Sequence, residues 1–479
     1  MSSLAAALHE SLTRLIGGAR EPQTARALQQ VVGALTAALE RGELGLDLEG
    51  PAPEGLAEPD DPVDPCWPAA QLEALESCGW LVEATALTAR PEAPVVRDGR
   101  WLRWRRWHQQ LQNCLEALIN RGRQPSQPLT GASERRAARA RAAQAGLDPR
   151  QCTAVEALLC HRLVLLSGGP GTGKTSTVVQ MVAAALRLQP ELRLQLAAPT
   201  GKAAGRLAAA VAEGAGALER PLAEQLRQLG GTTLHRLLEA RADGAGFRRD
   251  QRRPLELDLL VVDEVSMVDL PLMVALLAAL PPEARLLLVG DPGQLPPVGP
   301  GAVLLELSRP ESLAALGSAA VELRTTYRND GAIAALATRL RQLEARGPAL
   351  LETLRPQLEA LEAGANLCWL EAPPERPPAE ALRRLRDHQQ RLAGLAQAMT
   401  PLSDGEDAAA GNHDLLLAEL ERLILLSPVR QGRWGVNGLH AALLGDAAAR
   451  SAQPMACTGH TLRSAVSSAL AAAVRAGAR

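Results

Sequence analysis

The sequence predicts an α/β protein in which a largely helical N-terminal region precedes a parallel β-sheet. Three observations lead to this fold class. Short apolar runs such as "LVLLSGG", "LDLLVVDE" and "ARLLLVGDP" alternate with helical patterns after residue 150, as in parallel sheets. A glycine-rich loop separates the first run from a helix. The chain holds one Phe and one Tyr, so Ala and Leu must fill most of its core, which favours helices.

Length and charge set further limits. At 479 residues the chain is too long for a single core. Its net charge of -2 gives no overall basic surface, so any contact with nucleic acid would have to be local. The N-terminus carries an early His and Glu and is not expected to be a signal peptide. No uncharged apolar run is long enough to span a bilayer, and we expect a cytoplasmic protein.

The seven cysteines are scattered and form no C-x-x-C pair. Cys457 and His460 make one isolated C-x-x-H. The pattern favours free thiols in a reducing compartment over a metal or disulfide framework.

Residues 1–125 are predicted to form a helical domain, divided by the Pro-rich acidic segment "EGPAPEGLAEPDDPVDPCWP". Within it, Trp101, Trp104 and Trp107 recur every three residues among arginines, and on a helix they would share a face. Such a stripe could stack on single-stranded bases. A core or a partner-binding surface is the favoured interpretation. Residues 126–147 are polar and basic and are expected to form a linker.

The loop from Gly168 to Thr175 fits G-x-x-x-x-G-K-[ST] between a strand and a helix. Its backbone N–H groups and the helix N-terminus suit phosphate oxygens, Lys174 suits the β- and γ-phosphates, and the Thr175 hydroxyl suits Mg²⁺. ATP and Mg²⁺ are therefore the expected ligands. The candidate nucleotide-binding residues are Gln151, Gly168, Gly169, Pro170, Gly171, Thr172, Gly173, Lys174, Thr175 and Ser176.

Two later strands end in polar residues. In "LDLLVVDEVSMVD", Asp263 suits coordination of Mg²⁺ and Glu264 suits orienting or deprotonating a water. Asp269, further on, is interpreted as a helix cap. In "VGDPGQLPPVGPGAVL", Gln294 lies in a Gly/Pro-rich loop and could sense a γ-phosphate.

The series "GGPGTGKT", "APTGKAAGRL", "TTLHRLL", "VVDEVSMVD", "VGDPGQLPPVGPGAVL" and "TTYRND" resembles that of superfamily 1 DNA helicases. It is most similar to RecD-like helicases, the group that includes the alpha subunit of exodeoxyribonuclease V. The resemblance is strong from about 148 to 330 and returns at "LILLSPVRQGRWGVNGLH". It implies a RecA-like motor lobe over 148–325 and part of a second lobe over 326–445.

The resemblance also implies roles for individual residues. Gln151 would contact adenine, Gln294 would couple nucleotide state to DNA grip, and Arg328 would reach the γ-phosphate from the second lobe. The candidate catalytic residues are thus Lys174, Asp263, Glu264, Gln294 and Arg328. "APTGKAAGRL" would bring Arg206 as well towards the ATP site and the DNA backbone. The candidate DNA-binding residues are Thr200, Lys202, Thr233 and His235.

The implied activity is ATP-driven 5′→3′ movement on single-stranded DNA, in double-strand break repair and recombination. The N-terminal domain would dock on the beta and gamma subunits of the heterotrimer. Two alternatives stay open: a free-standing RecD-like helicase, and a non-catalytic protein that binds ATP or a partner.

After "GVNGLH" the chain departs from the family pattern. The expected "T-x-H-K-S-Q-G" and "Y-T-A-x-T-R-A" type motifs are missing, and residues 446–479 are mostly Ala, Ser, Arg and Thr. A frameshift or premature end near residues 446–452 is one hypothesis, and a short form with a helical tail is the other. On this pattern we expect Mg·ATP binding with weak or absent turnover.

Overall fold

The computed structural model describes residues 3–18, 21–50, 52–53, 67–123, 131–244, 246–327, 331–343, 348–361, 366–373, 375–398, 415–416, 418–427 and 429–444. The chain divides into two compact units, Met1–Gly331 and Ala332–Arg479. Within the described residues, no helix is both long enough and apolar enough to cross a membrane.

The N-terminal region contains a small sheet as well as the predicted helices. Its strands lie in the order β1-β4-β3-β2, with β2 parallel to β3 and the other pairs antiparallel. In chain order the elements are α1 (Ser3–Ile16), α2 (Pro22–Glu40), β1 (Gly45–Asp47), α3 (Ala69–Ser77), β2 (Leu81–Glu83), β3 (Val95–Asp98), β4 (Trp101–Trp104) and α4 (Arg105–Arg123).

The three tryptophans do not share the face of one helix that their spacing predicts. Trp101 to Trp104 form strand β4, and α4 begins only at Arg105. Trp104 is buried in the N-terminal core together with Trp80. The Trp101 ring instead lies 5.5 Å from the guanidinium carbon of Arg103 and 5.5 Å from that of Arg309. Trp104 therefore packs in a core, and Trp101 contacts arginines of the same unit, in agreement with the core interpretation.

The segment expected to be a basic linker is largely a helix. α5 (Ala132–Gln144) packs along α6 (Pro149–Cys160). Ala138 and Ala142, four residues apart, are buried in the core that covers the nucleotide-binding lobe. Small alanines on one helical face let α5 approach α6 closely, and Arg139 of α5 pairs with Glu156 of α6 at 3.2 Å. The polar composition of this segment led the sequence analysis to predict a linker instead of a helix.

The predicted parallel sheet is present and has six strands. Their order is β10-β5-β9-β8-β6-β7, and every pair is parallel. The order along the chain is β5 (Leu163–Gly168), α7 (Lys174–Leu188), β6 (Leu194–Ala198), α8 (Gly201–Gly214), α9 (Arg220–Arg227), β7 (Gly231–Thr233), α10 (Leu234–Leu237), β8 (Leu259–Val262), α11 (Leu270–Ala279), β9 (Arg285–Gly290), α12 (Val303–Leu307), α13 (Pro310–Leu316) and β10 (Ala320–Leu323).

Helices cover both faces of this sheet, which is why its central strands are wholly apolar. Val164 and Leu166 of β5 face a core that includes residues of α6, α7 and α8. Leu163 and Leu165 face a second core that includes residues of α11 and α12 and the buried face of α4. The α4 residues in this second core are Leu111, Cys114, Leu115 and Leu118. The last helix of the N-terminal region therefore completes the nucleotide-binding lobe.

The second unit contains helices joined by irregular segments among its described residues. Its helices are α14 (Ala332–Gln342), α15 (Pro348–Glu359), α16 (Ala379–Ala398) and α17 (Val436–Leu444), and α16 contacts α17. No strand occurs among its described residues, so a partial second RecA-like lobe over 326–445 stays a prediction. Residues 446–479 lie outside the described part.

We expect Leu118→Ala to destabilise unit 1 by about 2–5 kcal/mol, because it opens a cavity between α4 and the sheet. The free energy of unfolding from urea denaturation measures this. Glu116→Ala, on the exposed face of the same helix, serves as the control and should change stability by less than about 0.5 kcal/mol. Equal effects of the two changes would show that α4 does not cover the sheet in solution.

Candidate active site

The glycine-rich loop, the Asp263–Glu264 pair and the loop with Asp291 meet at one edge of the sheet. The strands are parallel, so their carboxyl ends lie together, where open α/β sheets bind ligands. β5 leads into the glycine-rich loop, β9 into Asp291, and β8 into Asp263. These three strands are adjacent, in the order β5-β9-β8. The predicted nucleotide site is therefore assembled from neighbouring strands.

The glycine-rich loop has the backbone that a phosphate cradle requires. Gly171 and Gly173 both have φ of +77°, a left-handed conformation that favours glycine. α7 begins directly after the loop, at Lys174. The Lys174 ammonium donates hydrogen bonds to the carbonyls of Gly168, at 2.8 Å, and Gly169, at 3.0 Å. Its charge thus lies beside the loop and the N-terminus of α7, where anions are stabilised.

Gln151 supports this loop from behind. Its Oε1 accepts from the Asp148 amide at 2.9 Å, and its Nε2 donates to the Thr172 carbonyl at 3.2 Å. A Cβ at Gly173 would come within 2.5 Å of the same Nε2. Gln151 is 4% exposed. The structure therefore places it in contact with the loop, and its expected contact with adenine stays a prediction.

Tyr327 is a site residue that the sequence analysis missed. Its hydroxyl donates to Asp148 Oδ2 at 2.8 Å, and its amide donates to the Gly171 carbonyl at 2.8 Å. It therefore ties the segment after β10 to both the loop and the cap of α6. The available signal was its rarity, since it is the chain's one tyrosine. The neighbouring Arg328 lies outside the described residues.

Asp263 and Glu264 stand at the end of β8. The Asp263 amide donates to the Ala197 carbonyl at 3.0 Å, and Asp263 Oδ1 accepts from the Glu264 amide at 2.9 Å. Glu264 has φ of +54°. A left-handed conformation is uncommon for a residue other than glycine, and such strain persists where the surroundings impose it, often at functional sites.

Both carboxyls carry raised pKa values. Burial is the main cause for Asp263, and the positive charges of Lys174 and Arg206 act in the opposite direction. For Glu264, burial and then the Asp263 charge raise the pKa, while Lys174 and Arg206 again lower it. A partly buried pair of like charges beside cations is the electrostatic pattern typical of a catalytic site.

The loop after β9 is held at its start and exposed in the middle. Asp291 is buried, and its Oδ1 accepts from the Gly293 amide at 2.9 Å. Gln294 is exposed, and its amide donates to the Asp291 carbonyl at 3.1 Å. The proposed sensor therefore lies beside the cluster but on its solvent side. Asp269 accepts from the Leu272 amide at 2.9 Å and caps α11, as predicted.

The candidate DNA-binding residues follow the next two strands. Thr200 caps α8 after β6, and its hydroxyl accepts from the Ala203 amide at 3.2 Å. Thr233 caps α10 after β7, and its hydroxyl accepts from the Arg236 amide at 3.2 Å. Lys202 and His235 are exposed. Four strand spacings separate β5 from β7, roughly 19 Å in all, and β6, with Thr200 at its end, lies beside β8. That these residues bind DNA stays a prediction.

Composition adds a signal that the motif analysis did not use. Lysine occurs at positions 174 and 202 alone, and the remaining basic residues of the 51 are arginine. Lysine presents a compact point charge, whereas arginine presents a planar fork. A chain that otherwise uses arginine keeps the ammonium at the glycine-rich loop and at the start of α8.

The donor set fits a magnesium nucleotide. Hard oxygen donors, the Thr175 hydroxyl and the Asp263 carboxylate, are of the type that Mg²⁺ takes beside substrate phosphates. The two left-handed glycines leave room for phosphate close to the backbone, where a Cβ would intrude. Residues 151–300 match the family model described as an AAA domain, in agreement with nucleotide use.

Comparisons with known proteins point to one group. Over 295 residues the chain is 39% identical to the RecBCD enzyme subunit RecD of Mycolicibacterium smegmatis, covering 60% of this chain and 48% of that protein. Over 167 residues it is 44% identical to the ATP-dependent RecD2 DNA helicase of Deinococcus radiodurans, covering 35% and 21%. The chain thus spans about half the length of the first relative.

A solved structure, the Pif1 helicase from Candida albicans, is 18% identical, with a TM-score of 0.30, and covers 51% of this chain and 54% of that one. Because this score is low, the fold assignment rests on the strand order and the loop geometry.

We expect Asp263→Asn to stabilise the ligand-free protein by about 0.5–2 kcal/mol at pH 7. Burial raises the pKa of Asp263 above 3.8, so its ionisation opposes folding. This cost is absent well below pH 3.8 and appears as the pH rises through the folded-state pKa. Urea denaturation at several pH values should therefore show the gain shrinking in acid.

Asp258→Asn is the matched control at the other end of β8. Arg193 holds the pKa of Asp258 below its usual value through a hydrogen bond at 2.7 Å. Its replacement should therefore lower stability at pH 7. The same sign for both variants would contradict this electrostatic account.

Proposed function

We propose that the chain, a relative of the RecD-type helicases, is an ATP-driven motor that moves 5′→3′ on single-stranded DNA. One observation carries this proposal: the glycine-rich loop with Lys174 and the partly buried Asp263–Glu264 pair follow strands β5 and β8, which only β9 separates, and they affect each other electrostatically. Positioning and charge stabilisation supply most of the catalysis in phosphoryl transfer. These residues are of the kinds that such chemistry uses.

In the proposed mechanism, the loop N–H groups and Lys174 bind the phosphates, and Thr175 and Asp263 hold Mg²⁺. The ion would neutralise charge on the β- and γ-phosphates. Glu264 orients the attacking water and accepts its proton. Lys174 and Arg206 act on its pKa in the direction opposite to burial. Gln151 and Tyr327 keep the loop in the conformation that receives the nucleotide.

Coupling to DNA would use the loop after β9 and the neighbouring strand ends. Gln294 senses the γ-phosphate, and Arg328 adds a positive charge to it. Thr200, Lys202, Thr233 and His235 contact the strand further along the edge. The distance of about four strand spacings leaves room for both the nucleotide and the DNA strand. Strands β9 and β8 lie between β5 and the strands that carry the DNA-binding candidates.

The relatives named as RecBCD subunits support a proposal about assembly. We propose that the N-terminal region docks on the beta and gamma subunits of an exodeoxyribonuclease V complex, in the cytoplasm, for double-strand break repair and recombination. A relative named RecD2 DNA helicase supports a free-standing helicase as the alternative. Co-purification of a tagged chain with two large subunits would favour the complex.

ATP turnover with and without single-stranded DNA tests the proposal. We expect DNA to stimulate turnover above a Lys174→Ala blank. Glu264→Gln should keep nucleotide affinity within about threefold but lower turnover about 10²–10⁴-fold, since it removes a general base. A fluorescent ATP analogue measures the affinity, and displacement of a block from either DNA end measures the direction.

Controls separate the alternatives. Glu256→Gln, on the exposed segment before β8, should leave both affinity and turnover unchanged. Nucleotide binding without turnover in any condition would contradict the motor and support a protein that only binds ATP. Loss of binding in Glu264→Gln would contradict the role given to Glu264.

A further inference from the structure

The turn that follows α2 in the N-terminal region contacts the loop that carries Gln294. The Gly42 carbonyl accepts from the Gly301 amide at 2.9 Å. Gly42 has φ of +84°, and a Cβ there would lie 3.1–3.2 Å from the carbonyl oxygens of Gly299, Pro297 and Val298. The positive φ favours glycine here, and a side chain would push these carbonyls away. The turn therefore covers residues 297–301, the end of the 291–301 segment, which is named here the sensor loop.

The end of the sensor loop is enclosed by apolar side chains. Gly301 has φ of +90°, and a Cβ there would come within 2.9 Å of Leu44 Cδ1 and 2.8 Å of Leu270 Cβ. Leu44 belongs to the N-terminal region and is buried in the same core as α11 and α12. Leu270 begins α11, the helix that follows the Asp263–Glu264 pair. The loop end is thus packed between the N-terminal region and the catalytic segment.

A buried ionic contact holds the helix that follows the loop. The Arg103 side chain is 3% exposed and lies 2.9 Å from Asp98 and 3.6 Å from Glu306 of α12. Glu306 also pairs with Arg309 at 2.9 Å. A buried guanidinium needs its partners, because an uncompensated charge in the interior is costly. The N-terminal region is therefore tied to α12 through β4, and to the sensor loop through the turn after α2.

The middle of the sensor loop is left outside these contacts. Gln294 is exposed, as is Leu295, at 85%. We propose that Gly42 is a positioning residue: the N-terminal turn sets the conformation of the sensor loop and hence the position of Gln294. The effect on catalysis rests on the role proposed for Gln294, whereas the effect on the loop does not.

Hydrogen–deuterium exchange of the purified chain tests the contact, with Gly42→Val compared with Gly79→Val. Gly79 also has a positive φ, of +73°, but nothing lies within 4 Å of a Cβ there. Both changes introduce backbone strain, and only one of them reaches the loop. We expect the amides of Val298, Gly299 and Gly301 to exchange roughly 5–30-fold faster in Gly42→Val than in Gly79→Val. Equal exchange in both variants would overturn the proposal.

Turnover supplies the second readout. In Gly42→Val we expect a lower DNA-stimulated kcat with the KM for ATP retained, a division that general destabilisation would not produce. Gly79→Val should keep both values. A fall in KM and kcat together would overturn the positioning role.

The contact between the N-terminal turn and the sensor loop can be tested independently of the proposed function. If the unaltered chain does not hydrolyse ATP, the motor proposal fails, and the exchange comparison still decides the contact. If Gly42→Val does not fold, Gly42→Ala replaces it, since its Cβ requires the three carbonyls to move by only a few tenths of an ångström. Gly79→Ala is then the control, and equal exchange again overturns the proposal.

Discussion

The need to cover both faces of the six-stranded parallel sheet governs the architecture of the first unit. A parallel sheet exposes apolar side chains on each face and is stable only between two layers. One layer comes from helices that follow the strands in sequence. The other includes α4, and four of its buried residues share a core with residues of β5 and β9. The N-terminal region is therefore part of the folded lobe, and the compact unit extends from Met1 to Gly331.

Sequence reasoning succeeded where the chemistry is local. A glycine-rich loop between a strand and a helix can be recognised from a short stretch of sequence. The same holds for an acidic pair that ends an apolar run. Lys174, Asp263 and Glu264 accordingly meet as predicted. The strand at Trp101–Trp104 was missed because its three-residue tryptophan spacing imitates a helix, while pairing with β1 and β3 determines its conformation. The helix α5 and the role of Tyr327 were likewise missed, because both depend on contacts with residues distant in sequence.

The acidic pair shows how the site departs from the most stable arrangement. Asp263 and Glu264 are partly desolvated beside each other, and Glu264 has a left-handed backbone conformation. Each feature opposes folding when considered alone. A lobe with two extensive apolar cores can tolerate them, and the result is a preformed anionic centre facing Lys174 and Arg206. Preorganised charge of this kind is what phosphoryl transfer requires.

The near-absence of lysine has a chemical consequence. Amine-directed reagents modify lysine ammonium groups and the chain's α-amino group and leave guanidinium untouched. With lysine at 174 and 202 alone, acylation of this protein would be confined to the phosphate loop, the start of α8 and the N-terminus. Lys174 lies against two loop carbonyls, while Lys202 is exposed. A single peptide map of the acylated protein could then compare the modification of Lys174 with that of Lys202. It would follow ligand occupancy at each of these two places on the sheet edge without any engineered label.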